Sequence, residues 1–230
     1  MELPSQIMEN WAFQKEVLAG YARHYETGEV IPDSLVAKIE AAANFNQGFM
    51  TTELAAASIL DMKWHELTSA EGLDPMAFEK AACEEMGLID EIIPRYRSTY
   101  FAHIFSGGYS AGYYSYLWAE VLDKDAFEAF KSSRDICDRE LANSFRYDLL
   151  AQGGQRPGME MYRTFRGADP DKTPMLKARG LWKEPEPVVD TLAEGTTELQ
   201  PTVQPGRPML KTEPKAGRPI KPTVKDNSPN

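Results

Sequence analysis

The 230-residue chain is poor in the groups that most chemistry needs. It has only three histidines, His24, His65 and His103, and only two cysteines, Cys83 and Cys137. Two cysteines 54 positions apart have no metal-ligand spacing and cannot form a disulfide framework. They read as two buried free thiols, which suits a reducing compartment and a cytoplasmic location. No apolar run approaches the roughly twenty residues that span a bilayer, and none follows the start as a secretion signal would. Membrane partners are therefore not expected. Basic excess is also absent. Residues 183–230 carry seven basic and seven acidic side chains, so the net charge of −10 resides in residues 1–182. An acidic body is unsuited to neutralising phosphates, which excludes nucleic acid as the main partner.

Strand-like alternation is missing too, and what remains is one helical pattern after another. Pro4 stands where a first turn tolerates it, ahead of "SQIMENWAF". Asp33–Ser34 is a candidate cap for "LVAKIEAAANF", with Leu35, Ile39 and Ala42 on one face. Thr51 or Thr52 is a candidate cap for "ELAAASILDMKWHEL", apolar nearly all round and thus expected to be a buried central helix. Asp74–Pro75 starts a helix that Gly87 stops. Further patterns cover about 109–122, 123–131, 134–151 and 158–166, with Gly167 as a stop, and a short one ends before Gly180. Residues 92–101 read as an extended loop. Residues 183–230 hold nine of the sixteen prolines and no aromatic residue, so they are expected to be a disordered tail; its two "GRP" elements are plain low complexity. The chain thus divides into an all-α body, 1–182, and a Pro-rich tail, 183–230.

Few residues offer chemistry. His65–Glu66 begins a His-Glu-x-x-His pattern, but its fifth position is Ser69, so it is not a metal site. His24 has no ligand-type neighbour at helical spacing and reads as structural. The stretch "FAHIFSGGYSAGYYSYLW", residues 101–118, is different. If residues 109–122 are helical, Tyr109, Tyr113 and Tyr116 lie within about 60° of one another. Such an aromatic stripe is ordinarily packing. Three hydroxyls on one face nevertheless need partners when buried. Gly107 and Gly108 give the backbone freedom to approach a ligand, and His103 stands just before them. Periodicity alone points to a polar, substrate-facing wall.

Several separate motifs, in order, carry a resemblance: "ELPSQIMENW", "YARHYETGEVIPDSL", "FNQGF", "LDMKWHEL", "FAHIFSGGYSAGYYSYLWAEVLDKDAFEAF" and "FRGADPDKTPMLKARGL". Residues 1 to about 182 closely resemble the zinc metallopeptidases of the thimet oligopeptidase and peptidyl-dipeptidase (dipeptidyl carboxypeptidase) family, and "HIFSGGY" looks more like the peptidyl-dipeptidase branch. The resemblance implies the C-terminal helical part of a zincin-like catalytic domain, acting on short peptides. It implies a zinc held by two histidines of a His-Glu-x-x-His helix and by a glutamate just before "PSQ", here Glu2. The two histidines and the general base have no counterpart in this chain, so the expected partner is the missing N-terminal half of the peptidase, and the chain alone is expected to be inactive. The resemblance further implies a mobile glycine-rich loop at Gly107 and Gly108, and substrate contacts at Tyr109 and Tyr113. It gives Tyr116 the role of hydrogen-bond donor to the oxyanion formed when zinc-bound water attacks the peptide carbonyl, with His103 assisting. The alternative is a non-enzymatic helical remnant that acts as an interaction protein.

Overall fold

The structure, a computed structural model, describes residues 2–184; the tail expected to be disordered lies, from residue 185 on, outside the described residues. The described chain is helical and contains no strand, only an isolated bridge between Arg23 and Val30. The helices are α1 (Leu3–Ala12), α2 (Lys15–Tyr21), α3 (Asp33–Ala42), α4 (Gln47–His65), α5 (Pro75–Glu85), α6 (Ala102–Phe105), α7 (Ser115–Ser132), α8 (Arg139–Ser144), α9 (Gly158–Arg166) and α10 (Thr173–Ala178). None is long and apolar enough to cross a membrane.

One core is built from α1, α7, α9 and the π-helical turn Phe145–Leu149. Leu3 and Ile7, one turn apart, place a single face of α1 against Ala126, Phe127 and Phe130 of α7. Phe145, Tyr162 and Phe165 close the cluster. Trp11 meets Phe127 and Phe130 edge-on, with ring centres 4.8 and 4.7 Å away, and its indole N–H donates to the Ile136 carbonyl at 2.9 Å. Two carboxylates of α7 are buried here, and each is matched. Asp123 accepts from Asn10 at 3.0 Å, with the Lys124 ammonium at 3.3 Å; burial still pushes its carboxyl above the usual range. Asp125 accepts from the Tyr162 hydroxyl at 2.6 Å and pairs with Arg166 at 3.3 Å. The buried Arg179, just past α10, ties three elements together. It is held bidentately by Glu120 of α7, with Nε at 2.8 Å, and its Nη1 donates to Thr51 of α4 at 2.6 Å.

Several local expectations change. Helix α4 starts a turn early, after Asn46 in the left-handed region at φ 55°, so Thr52 lies inside it and back-bonds to the Gly48 carbonyl at 2.9 Å. It is also not buried all round: Leu60 and Asp61 are fully buried, but Ile59 and Met62 are exposed. On α3, Val36 is the buried residue, while Leu35 and Ile39 face outward. The residues 134–151 are not one helix. Asp138 caps a new start, accepting from the backbone of Glu140 and Leu141, and α8 passes into the π-helical turn and then a short 3-10 turn, Leu150–Gln152. Neither cysteine is buried: Cys83 is half-buried, Cys137 is exposed, and both are free. Helix α2 has no counterpart among the sequence expectations. By contrast, α5 begins at its Asp74 cap, which accepts from Ala77 at 2.7 Å, and Gly87, Gly167 and Gly180 all take positive φ at helix ends, as the stop signals require.

Candidate active site

The second core sits where α4 packs on the segment 96–116. Its buried members are Ala57, Phe101, Ile104 and Tyr113, and Tyr96, Tyr109, Tyr116 and Trp64 pack against it. Two buried carboxylates organise it. Glu79 of α5 accepts the backbone N–H of Ser98 at 2.6 Å and pairs with Arg97, which fixes the stretch carrying Tyr96. The Trp64 indole donates to the Ser98 hydroxyl at 2.8 Å. Asp61 of α4 accepts the N–H groups of Ala111 and Tyr113 at 3.0 and 2.8 Å.

That second contact corrects the helical-wheel argument. Tyr109 and Tyr113 are not on a helix. They lie on a turn, because Ala111 has φ +52°, which an α-helix cannot contain, and Asp61 holds that turn through the N–H groups of Ala111 and Tyr113. Helix α7 starts only at Ser115. The three phenols nonetheless meet. Tyr109 and Tyr116 stack at 4.9 Å, and Tyr113 stands edge-on to Tyr116 at 5.1 Å. His103 joins them from α6, with ring centres 5.7 Å from Tyr113 and 6.1 Å from Tyr109.

Gly107 and Gly108 join α6 to this turn and use different properties of glycine. A Cβ on Gly107 would lie 2.8 Å from the His103 Cα, so no side chain fits there. Gly108 has open space but φ +83°, a conformation that L side chains rarely adopt. The loop beside His103 therefore needs both.

Glu2 also reaches the wall. It precedes α1, and its carboxylate accepts from the Tyr109 hydroxyl with one oxygen and from the Ser5 hydroxyl, at 3.0 Å, with the other. Gln6, on the next turn, donates to the Tyr116 carbonyl at 3.2 Å. The seven residues singled out in the sequence thus lie close together, Tyr113 itself being buried. Tyr96 was missed. It stacks on Phe101 at 5.1 Å and lies 4.8 Å from His103, but an aromatic in an aperiodic loop gives no pattern to follow. Asp61 was missed as well, although a carboxylate inside the apolar run "SILDMKW" was a signal. His24 and His65 are structural. The first accepts from the backbone of Glu26 and Thr27, and the second places Nδ1 2.8 Å from Asp61.

The environment raises two of these phenols. The Glu2 carboxylate, and next Tyr116, push the Tyr109 hydroxyl well above the usual range. Burial, reinforced by Tyr96, pushes Tyr113 up to about 12 from 10.0. In the main core, burial and then Asp125 push Tyr162 higher still. A raised phenol stays neutral in the folded chain while its unfolded counterpart ionises. The stability it contributes is therefore complete below pH 10 and is lost as the pH climbs towards 12 and beyond. In an alkaline titration followed at 295 nm, Tyr109, Tyr113 and Tyr162 are expected to stay un-ionised past pH 11. Full ionisation of all ten tyrosines near pH 10 in a folded chain would contradict this environment.

Zinc does not fit the described residues by themselves. A catalytic zinc takes three protein ligands, and no three His, Cys, Asp or Glu side chains cluster among the described residues. Glu2 is a single carboxylate at the wall.

A helical scaffold thus brings phenols, an imidazole and a carboxylate together. Peptidase family M3 matches residues 1–181, and the chain belongs to that family. Members of the family are zinc metallopeptidases, hydrolases of peptides. Dipeptidyl carboxypeptidase of Escherichia coli (strain K12) is 44% identical over 184 residues, which are 79% of this chain and 27% of that protein. Probable cytosolic oligopeptidase A of Arabidopsis thaliana is 36% identical over 189 residues, 79% of this chain and 26% of that protein. Saccharolysin of Saccharomyces cerevisiae is 33% identical over 184 residues, 79% and 25% respectively. The chain spans about a quarter of the length of these relatives.

Proposed function

We propose that this chain supplies the oxyanion-binding and substrate-contacting wall of a metalloprotease that hydrolyses short peptides, in the peptidyl-dipeptidase manner. The observation that carries the reading is the convergence of Tyr109, Tyr113, Tyr116 and His103 on one surface, with Glu2 bound to Tyr109. Tyr116 donates a hydrogen bond to the carbonyl oxygen of the scissile bond as negative charge builds there, keeping its proton, and His103 assists at the same oxygen. A donor fixed before reaction stabilises charge that exists only in the transition state. Tyr109 and Tyr113 contact the peptide, and the Gly107–Gly108 hinge brings the wall onto it. Glu2 would supply one ligand to a zinc, which would polarise the peptide carbonyl. The other ligands and the base that activates water belong to residues outside this chain, so the chain by itself does not hydrolyse peptides. Residues 1–182 form the peptidase portion and 183–230 a separate Pro-rich tail. We place the chain in the cytoplasm, a reading that the name of the cytosolic Arabidopsis relative and the two free thiols support.

The test is product analysis. This chain is combined with the portion of the E. coli relative that precedes the matched segment and given an unstructured octapeptide. Mass spectrometry is expected to find dipeptides released from the C-terminal end. Internal cuts at scattered positions would remove the peptidyl-dipeptidase assignment.

A further inference from the structure

Asp61 is fully buried on the inner face of α4. A carboxylate there requires donors, because an unmatched buried charge is strongly unfavourable. Its donors are specific. Oδ1 accepts the Ala111 N–H at 3.0 Å and lies 2.8 Å from His65 Nδ1, and Oδ2 accepts the Tyr113 N–H at 2.8 Å. Both N–H donors come from the tyrosine turn, fifty residues further along the chain. They bracket Ala111, a non-glycine residue at φ +52°. An L-residue in that region is disfavoured by roughly 1–2 kcal/mol unless its surroundings hold it there. The N–H of Tyr113 lies at the exit of the turn, three residues before Tyr116.

We propose, resting on the reading of this wall as a peptide-hydrolysing surface, that Asp61 is a positioning residue for it. Its carboxylate clamps the 109–114 turn in the one shape that stacks Tyr109 on Tyr116 and sets Tyr113 edge-on to both His103 and Tyr116. His65, one turn on along the same helix, places Nδ1 2.8 Å from Asp61 Oδ1 and 2.9 Å from the Asp61 carbonyl, a role unrelated to metal binding. Asp61 touches no substrate and acts through the turn.

The test has two arms. In the first, amide hydrogen exchange is followed by NMR on the full chain. The Ala111 and Tyr113 amides are expected to exchange at least tenfold more slowly than Gly108 on the same loop. Asp61→Asn, which keeps the shape but removes the charge, is expected to speed both by about 10–100-fold while the α1 and α7 core amides keep their rates. In the second arm, Asp61→Asn is assayed in the enzyme assembled with the relative's preceding portion, well below its melting temperature. There kcat is expected to fall about 10–100-fold with KM within threefold, the effect of a misplaced donor. Wild-type Ala111 and Tyr113 amides exchanging as fast as Gly108 would overturn the clamp, and that arm decides even where Asp61→Asn fails to fold. Faster exchange without a fall in kcat would make Asp61 a structural anchor only. An assembled wild-type enzyme without any hydrolysis would remove the peptidase reading itself, which the exchange arm does not touch.

Discussion

Replacing Tyr116 with phenylalanine is expected to lower the turnover of the assembled peptidase by about 10²–10³, the usual effect of deleting one oxyanion donor. The rings explain why so small a change can be read cleanly. Tyr116 is held through its faces and edges, stacked on Tyr109 and met edge-on by Tyr113, and phenylalanine keeps both contacts. The start of α7 is further fixed by Gln6 on the Tyr116 carbonyl, which the substitution leaves alone. The loss should therefore appear in kcat with KM nearly unchanged, since the hydroxyl is proposed to act on charge that develops only during reaction. Steady-state kinetics on a quenched-fluorescent peptide measure it. A kcat within threefold of wild type would leave the peptidase reading standing but take the oxyanion role away from Tyr116.

Phe130→Ala is expected to destabilise the chain by about 3–5 kcal/mol, as removal of a buried aromatic ring does. Phe130 is 2% exposed and sits at the centre of the main core. It touches Trp11 of α1, Phe145 of the π-helical turn and Phe165 of α9, so the cavity opens to three elements at once and cannot collapse from one side. The same α7 that carries Phe130 carries Tyr116 at its other end, which couples loss of this core to loss of the wall. Urea unfolding followed by tryptophan fluorescence gives the value, and a change below about 1 kcal/mol would mean that α1 and α9 do not pack on α7 as described.

The helices with local punctuation were legible in the sequence. Pro4, the Asp74 cap and the glycines at 87, 167 and 180 act within one turn of chain, so their signal is complete in a short window. What failed depended on distant residues. The 109–122 pattern has helical spacing, but Ala111 takes φ +52° in a turn held by the distant Asp61, and α7 begins at Ser115. The tyrosines were grouped correctly on a premise that does not hold: a turn, and not a helix face, brings them together. The face of α3 was misjudged for a similar reason. Leu35 and Ile39 share a helix side, but tertiary packing selects Val36, and amphipathic spacing cannot say which of two apolar faces finds a neighbour. Asp61 interrupts an apolar run, which marks it as unusual, but its role and that of Glu79 are defined by the backbone amides they meet, none of which is near them in sequence.

Hydrolysis of a quenched-fluorescent peptide in zinc-buffered solution tests the central claim most directly, with this chain alone, the preceding portion of the E. coli relative alone, and the two together. The expected result is cleavage only in the mixture, abolished by a chelator and reduced by Tyr116→Phe. Chelator-sensitive hydrolysis by this chain alone would show that its own residues complete a metal site, and a mixture of folded partners that binds but never cleaves would contradict the assignment of the tyrosine wall to peptide hydrolysis.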